Sequence, residues 1–199
     1  ARGTANLNDD GNSANLQGWW RMGDGKLDSY PLIADQTNAT LGSELWDSPA
    51  SVFTSGTYAW VAYNNNTIAN DSNTLKITYV DSANGAYVHF KDTSDLSSDL
   101  VVGRTYKFTC DVKVGSGDSV GVALYNGSTT TTIATVTDTS FTEVSHFFVA
   151  NSVNGCWVRT SGFGSGEDIW FDNLSLKQVN GNPGLMTNMA SGDIVEDTP

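Results

Sequence analysis

The chain has 199 residues and a formal net charge of −12, from 10 basic and 22 acidic residues. This balance excludes nucleic acid as a partner, because such a binder needs clustered lysine and arginine to displace counterions from phosphates, and it excludes attraction to an anionic membrane surface. Hydrophobic residues make up 39% and charged residues only 16%, with 20 glycines. This composition favours many short strands joined by turns over long helices, so we predict an all-β protein.

Residues 1–43 are polar and irregular, without helical periodicity, and are predicted to form an extended arm. Within this arm we expect one short strand at 17–22, which contains Trp19 and Trp20. Two adjacent tryptophans are rarely left free in water, so this part of the arm is suited to docking on a neighbouring chain. Residues 180–199 are similarly polar and are predicted to form a second arm. No apolar run is long enough to span a bilayer, so we expect no membrane insertion.

The first firm strand signal covers 75–80, where apolar and polar residues alternate as in a half-buried strand. Asn84-Gly85, a favoured hairpin turn, then precedes a strand at 86–90. The clearest alternation covers 105–114 and predicts one buried and one exposed face. The buried face is predicted to carry Tyr106, Phe108, Cys110, Val112 and Val114, and the exposed face Lys107, Thr109, Asp111 and Lys113.

Five further strands follow at intervals of roughly ten residues with turn residues between them, which is typical of a β-sandwich. We expect about nine or ten strands in total, forming two antiparallel sheets of about four or five strands around one core. The later strands are predicted at 119–125, 131–136, 142–150, 155–161 and 168–177.

The two cysteines, Cys110 and Cys156, lie far apart in strand-like runs, and the chain has only two histidines. This pattern lacks the ligand spacing of a zinc site. A single disulfide and two buried free thiols both remain open.

Three stretches of the middle of the chain are similar to motifs of one family. Residues 73–78 resemble its early strand, 100–109 resemble its strand entry with Gly103 and Thr105-Tyr106, and 168–176 resemble its closing strand. Residues 44–179 thus resemble the carbohydrate-binding modules of the family 4, 9 and 22 type. The resemblance implies a jelly-roll β-sandwich at 44–179, flanked by the two arms at 1–43 and 180–199, and a non-catalytic role in binding an oligosaccharide or surface glycan.

The flanking segments carry a second resemblance. Residues 18–28 and 186–197 are similar to segments of virion structural proteins in marine tailed bacteriophages, where they bracket sandwich domains. This resemblance implies an extracellular module on a virion fibre, knob or decoration protein, with neighbouring virion chains as partners of the arms. The alternative is a purely structural virion or surface protein whose sandwich mediates assembly without binding glycan.

Sugar recognition uses aromatic rings that stack on the apolar face of a pyranose, together with polar groups that bind hydroxyls. Strand alternation puts Tyr87 and His89 opposite Val88, and Trp157 and Arg159 opposite Val158. Trp60 and Tyr63 lie in a stretch that we predict to be a groove-lining loop, and Tyr125 ends a strand. For each of these residues the alternative is packing in the core or at its rim. The predicted ligand-binding residues are Trp60, Tyr63, Tyr87, His89, Tyr125 and Trp157.

The family resemblance also implies a structural Ca²⁺, held by an acidic residue of the closing strand and by carboxylates near the start of the module. Asp172 matches the closing position. At the front, the family's acidic motif is replaced by 45–53, which leaves Glu44 and Asp47 as candidate ligands. Calcium takes six to eight oxygens, so these carboxylates need carbonyl groups beside them. The alternative is that Asp172 is a solvated residue of the strand.

Catalysis is not expected. A glycosidase needs two carboxylates that face each other across a cleft, and the available acids are common residues in a chain of this charge. No nucleophile elbow, phosphate loop or His-Glu-x-x-His motif is present in the sequence. The four carboxylates considered for such a pair are Asp111, Glu143, Glu167 and Asp168.

Overall fold

A computed structural model of the chain describes residues 32–33, 40–46, 51–57, 60–63, 66–80, 87–90, 96, 98–125, 129–153, 157–161, 164–181 and 184–185. The strands are β1 (Leu32–Ile33), β2 (Leu41–Glu44), β3 (Trp60–Tyr63), β4 (Thr67–Asp71), β5 (Thr74–Thr78), β6 (Tyr87–Phe90), β7 (Thr105–Val114), β8 (Val120–Tyr125), β9 (Thr130–Val136), β10 (Thr142–Val149), β11 (Trp157–Ser161), β12 (Asp168–Val179) and β13 (Gly184–Leu185).

Eleven of these strands form two antiparallel sheets. The six-stranded sheet has the order β10-β7-β12-β5-β4, with β2 also paired to β12, and the five-stranded sheet has the order β3-β6-β11-β8-β9. Neighbouring strands in each sheet are mostly distant in sequence, as in a jelly roll. The predicted all-β jelly-roll sandwich of two antiparallel sheets is confirmed.

The core lies between the two sheets, and β7 illustrates why. From its second residue onward, β7 alternates between buried and half-buried positions. The predicted inner face is confirmed because Tyr106, Phe108, Cys110, Val112 and Val114 are all at most 2% exposed. Cys110 is a free thiol, and burial raises its pKa well above the usual range, with Asp111 adding to the effect. Its thiol therefore packs as a small apolar group, which decides for Cys110 between the two cysteine alternatives.

The central strand β12 changes phase in its middle. Ile169 and Phe171 face the core in its first half, whereas Leu174 and Leu176 do so in the second. Asn173, between them, has a φ of +49°. One extra residue in this conformation shifts the alternation, as in a β-bulge, so both halves of the strand bury their apolar side chains.

The hairpin predicted around Asn84-Gly85 is wrong. β5 pairs with β4 and β12, whereas β6 pairs with β3 and β11 in the other sheet, so the connection between β5 and β6 crosses from one sheet to the other. The tight hairpin in this region is the one between β4 and β5. Its turn residues Ser72 and Asn73 have φ values of 55° and 67°, as the favoured two-residue turn requires.

The four strands that precede 74, β1 to β4, were not predicted. β2 and β4 are short and partly exposed, with polar residues that resemble a loop in sequence. β3 covers Trp60–Tyr63, which we predicted to be a loop, and it forms an edge of the five-stranded sheet. The eight strands predicted between 75 and 177 are all present, with ends displaced by no more than two residues.

The chain divides into two compact units, Ser43–Lys177 and a unit formed by 1–42 with 178–199. In the second unit β1 pairs with β13, and Asn180 bonds to Thr40 through both its backbone and its side chain, at 2.9 and 3.0 Å. The predicted strand at 17–22 and most of both predicted arms lie outside the described residues. Within the part of the chain that is described, no helix is long and apolar enough to cross a membrane.

Candidate functional site

The five-stranded sheet has one face toward the core and one away from it. Val122, Leu124 and Val158 are at most 2% exposed and belong to the core, which identifies the inner face of β8 and β11. Successive residues of a strand alternate between faces, so the positions of Tyr125 and Trp157 lie on the outer face.

The pairing register aligns the outer positions in two rows across the sheet. Trp157 pairs with Tyr125, which pairs with Thr130, and Val61 pairs with His89. Continuing the antiparallel register of β6 and β11 sets His89 beside Trp157. The first row is therefore Val61, His89, Trp157, Tyr125 and Thr130.

The second row lies two residues further along the strands, about 7 Å away. Tyr63 pairs with Tyr87, Tyr87 with Arg159, and Arg159 with Ala123. Five of the six predicted ligand-binding residues, from four separate strands, thus share one face of one sheet. We call this surface the aromatic face and define it by Tyr63, Tyr87, His89, Tyr125 and Trp157. Contact of these residues with a ligand stays a prediction.

Small residues mark the part of the aromatic face on β8. Gly121 and Ala123 occupy its outer positions, and the register continues from them to Thr135 and Thr132 on β9. Both residues are nevertheless buried, with Ala123 only 3% exposed, so other parts of the protein cover this part of the face. These positions were not among the predicted ligand-binding residues, although the alternation of Val120, Val122 and Leu124 implied them.

Trp60 is the exception among the six. Its ring is 2% exposed and packs in the core against Trp46 and Phe53, with ring centroids 6.3 and 6.4 Å apart. It pairs with Phe90 and so belongs to the inward set of positions on β3. A ring must be exposed to stack on a sugar, so this core position contradicts the predicted ligand-binding role of Trp60.

The charge of the aromatic face differs from that of the whole chain. The strands β3, β6, β8, β9 and β11 contain no aspartate or glutamate, one arginine and one histidine. The strands of the six-stranded sheet instead carry four lysines and six acidic residues. These acidic residues are Glu44, Asp71, Asp111, Glu143, Asp168 and Asp172.

The outer face of the six-stranded sheet is organised around Trp170. The ammonium groups of Lys76 and Lys113 lie 5.1 and 5.0 Å from the Trp170 ring, from the strands on its two sides. Its indole nitrogen donates to Asp71 at 2.8 Å, and this hydrogen bond is the main cause of the lowered pKa of Asp71. The ring is thus held by its own sheet.

The carboxylates considered for catalysis belong to this second surface. Asp168 pairs with Lys76 at 2.8 Å and accepts from the Thr78 hydroxyl, and Asp111 accepts from the Asn173 amide at 2.8 Å. Glu167 accepts from the backbone of Gly164 just before β12. All three therefore serve local structure, and none of the strands of the aromatic face supplies a carboxylate for acid–base chemistry.

Glu44 does not fit the predicted role of calcium ligand. One of its carboxylate oxygens accepts from the backbone N–H groups of Leu176, Leu45 and Trp46, at 2.7, 3.1 and 3.3 Å. The other accepts from the Ser175 hydroxyl at 2.5 Å and lies 4.0 Å from the Lys177 ammonium. These donors surround the carboxylate with positive partial charge, where a cation is disfavoured.

The remaining calcium candidates do not converge on Glu44. Asp172 accepts from the backbone of Asn173 at 2.9 Å, and Asp47 lies outside the described residues. Among the residues that the structure describes, no three acidic, histidine or cysteine side chains are grouped so as to hold a metal ion. A calcium role for Asp47 or Asp172 stays a prediction.

Comparison with solved structures identifies the class of fold. The xylan-binding CBM22-1 domain of Paenibacillus barcinonensis Xyn10C is 13% identical, with a TM-score of 0.51 over 72% of this chain and 97% of that domain. The CBM22-1 and GH10 modules of Clostridium thermocellum xylanase 10B, complexed with xylohexaose, are 16% identical with a TM-score of 0.51. That match covers 71% of this chain and 29% of the xylanase chain.

A third structure, the apo form of BiXyn10A CBM1, is 18% identical with a TM-score of 0.50 over 69% of this chain and 98% of its own. No protein-family model and no curated protein sequence matches the chain. At these identities the similarity establishes the fold, which is the jelly roll of carbohydrate-binding modules.

Proposed function

We propose that the chain is a non-catalytic carbohydrate-binding module that binds an oligosaccharide on its aromatic face. One observation carries the proposal. Four strands that are distant in sequence bring Tyr63, Tyr87, His89, Tyr125 and Trp157 to adjacent positions of one sheet face. Chance placement in the core or in separate loops would not align them in two rows.

The chemistry of the aromatic face suits a sugar. Aromatic rings stack on the apolar faces of pyranoses, and hydroxyl groups such as those of Tyr125, Thr130 and Thr132 exchange hydrogen bonds with sugar hydroxyls. From the first to the fourth strand of the sheet the rows extend over three strand spacings, about 14 Å. A surface of this length contacts several consecutive sugar rings, which favours a chain over a single monosaccharide.

The similar structures give this proposal independent support. One of them is described as a xylan-binding domain, and another contains xylohexaose. Both have the sandwich fold of this chain, although sequence identities of 13% and 16% leave the sugar itself undetermined by relatedness. We expect weak binding per site, so several copies would be needed for firm attachment.

The proposed setting is the surface of a virion. The similarity of 18–28 and 186–197 to structural proteins of tailed bacteriophages supports it, and it makes the module an extracellular reader of host or environmental glycans. In this setting the terminal segments bind neighbouring virion chains. A purely structural virion protein is the competing proposal, and it predicts a folded protein with no glycan ligand.

A glycan array followed by titration calorimetry tests the function. We expect binding to one glycan class, and we expect Trp157→Ala and Tyr125→Ala each to weaken it about fivefold to tenfold, because a stacked ring contributes about 1 kcal/mol or more. Phe141→Ala is the matched control, since Phe141 is an exposed ring beside Lys113 of the six-stranded sheet. A folded protein that binds no glycan, or whose binding ignores both ring variants, contradicts the proposal.

A further inference from the structure

The strand β9 lies at one end of the five-stranded sheet, where β8 is its neighbour. Among the strands that the structure describes, no other strand pairs with β9. Alternate residues of such a terminal strand direct their backbone N–H and C=O groups away from the sheet, toward the position that a further strand would take. Thr130, Thr131, Thr132 and Thr135 are exposed, so this edge is accessible to another chain.

The sequence of β9 favours pairing with a further strand. Proteins commonly protect a sheet edge with a charged residue, a proline or a very short strand, and β9 has none of these three. It has seven residues, of which six are β-branched and suit an extended strand. The other terminal strands of the two sheets differ, because β2, β4 and β10 each carry an acidic residue and β3 has only four residues.

A bulge limits the length of this pairing edge. Val122 pairs with Ala134 and Ala123 pairs with Thr132, so Ile133 is an extra residue of β9. Because a bulge bends its strand, regular pairing with another chain is confined to the stretch before it, at 130–132. The contact is therefore smaller than the roughly 800 Å² per partner of a standard interface, and we expect weak association.

We propose that β9 pairs antiparallel with β9 of a second copy of this chain. A strand that pairs antiparallel with its own copy forms a self-complementary contact about a two-fold axis. The pairing sets threonines opposite threonines, a cross-strand pair that stabilises sheets through its hydroxyl groups. Two copies of a chain with a net charge of −12 repel each other, and the repulsion is smallest where the meeting edges carry no charge.

The dimer has a consequence for ligand binding. The two-fold axis of an antiparallel strand pair is perpendicular to the sheet, so both copies have the outer faces of their five-stranded sheets on the same side. Two weak sites on one side bind a surface that displays many glycans more firmly than one site does. This consequence rests on the proposed function, whereas the dimer itself does not.

Sedimentation velocity at about 10, 100 and 500 µM protein, without glycan, measures the association. We expect a monomer–dimer equilibrium with a dissociation constant of about 100 µM. Hydrogen exchange of the same samples should show protection of the β9 amides that increases with protein concentration. The affinity should hold or rise between about 50 and 300 mM NaCl, because salt screens the repulsion between two acidic copies.

Two variants of one exposed residue test the interface. Thr132→Lys and Thr132→Asp should each weaken the dimer at least about tenfold, because each sets two like charges close together across the paired strands. The two substitutions change the net charge in opposite directions, so a loss in both identifies the position and not the charge of the chain. Thr142→Lys is the matched control, since Thr142 is an exposed threonine on β10, a terminal strand of the other sheet.

Four results would overturn the proposal: a chain that stays monomeric at about 500 µM, a dimer that both Thr132 variants leave intact, protection at β10 in place of β9, or association that salt weakens. Thermal unfolding of each variant verifies that it is folded. Because no glycan is present, failure of the dimer leaves the proposed function intact, and failure of glycan binding leaves the dimer intact.

Discussion

The outer faces of the two sheets use similar residue types in opposite ways. On the six-stranded sheet, the Trp170 ring lies between the ammonium groups of Lys76 and Lys113, and its indole nitrogen bonds to Asp71. On the five-stranded sheet, aromatic residues occupy neighbouring positions without a single acidic residue on their strands. On the six-stranded sheet these side chains pair with one another, whereas the strands of the five-stranded sheet carry one arginine and no acidic residue.

We infer from this difference that stability and recognition depend on different sheets of the jelly roll. Hydrogen bonds and ion pairs that link side chains within a face add cohesion, but they leave few groups for a ligand. We expect a face that binds a ligand to contribute less to folding. Changes on the six-stranded face should therefore alter stability without altering glycan binding, and changes on the aromatic face should do the reverse.

Substitution of Glu44 is expected to cause the largest change in stability. The Glu44 carboxylate links β2 to β12 through Leu176 and Ser175, so Glu44→Ala leaves partly buried donors without an acceptor. We expect a loss of about 2–3 kcal/mol in the free energy of unfolding, and about half of that for Glu44→Gln, which retains one oxygen. Urea unfolding measures both, and glycan affinity should stay within twofold of the unmodified chain, roughly 0.4 kcal/mol.

The control for Glu44 is Glu143→Ala, which removes an exposed carboxylate on β10 of the same sheet and should change stability by no more than about 0.5 kcal/mol.

The same variants test whether Glu44 binds calcium. Because the oxygens of Glu44 already accept from N–H and O–H donors, calcium should not raise the unfolding midpoint through this residue. A calcium-dependent rise that Glu44→Ala abolishes would show that Glu44 is a metal ligand after all.

Much of the fold was predictable because the decisive signals are local. The inner and outer residues of β7 follow from alternation over 106–114, where buried and half-buried residues alternate as predicted. Short edge strands such as β2 and β4 offer too few positions for that signal. The Asn84-Gly85 prediction failed because a turn motif indicates a reversal of the chain, whereas the two neighbours of β5 are β4 and β12, the latter some ninety residues later.

The alternation within each strand predicts which residues face outward, but it does not predict which of them are neighbours on one surface. Alternation with Val88 and Val158 put Tyr87 and Trp157 on outer faces, yet only the pairing register shows that Tyr63, Tyr87 and Arg159 are neighbours. Trp60 was misassigned because β3 has four residues and an aromatic residue suits either face of so short a strand. Its contacts with Trp46 and Phe53 come from tertiary packing that no local pattern encodes.

Trp170→Leu replaces an aromatic ring on the face that we expect not to bind glycan. The variant loses the hydrogen bond to Asp71 and the contacts of two ammonium groups, and we expect a cost of about 1–2 kcal/mol. The pKa of Asp71 should rise, because the Trp170 hydrogen bond is the largest cause of its lowering, and carbon-13 NMR titration measures it. Loss of glycan binding without unfolding would mean that this face binds the ligand.

Substitution of His146 is expected to have the smallest effect on stability. It tests which of the two sheets causes the pH dependence of stability. His146 lies on β10 opposite Phe108, and burial lowers the pKa of its imidazole below the ordinary 6.5. When the pH falls below about 6.5 the unfolded chain takes up a proton that the folded chain resists, so stability declines toward the lower folded pKa. The slope is at most about 1.4 kcal/mol per pH unit for one proton.

The chain has two histidines, so in a His89→Gln background His146 is the only one left. Urea unfolding of that background at about pH 7.5, 6.5 and 5.5 should show declining stability, and adding His146→Gln should flatten the curve down to the range where carboxylates titrate, near about pH 5. An unchanged slope would mean that His146 is as well hydrated in the folded chain as in the unfolded one. A flattened slope would show that the loss of stability at mildly acidic pH comes from the six-stranded sheet and not from the face that we propose binds glycan.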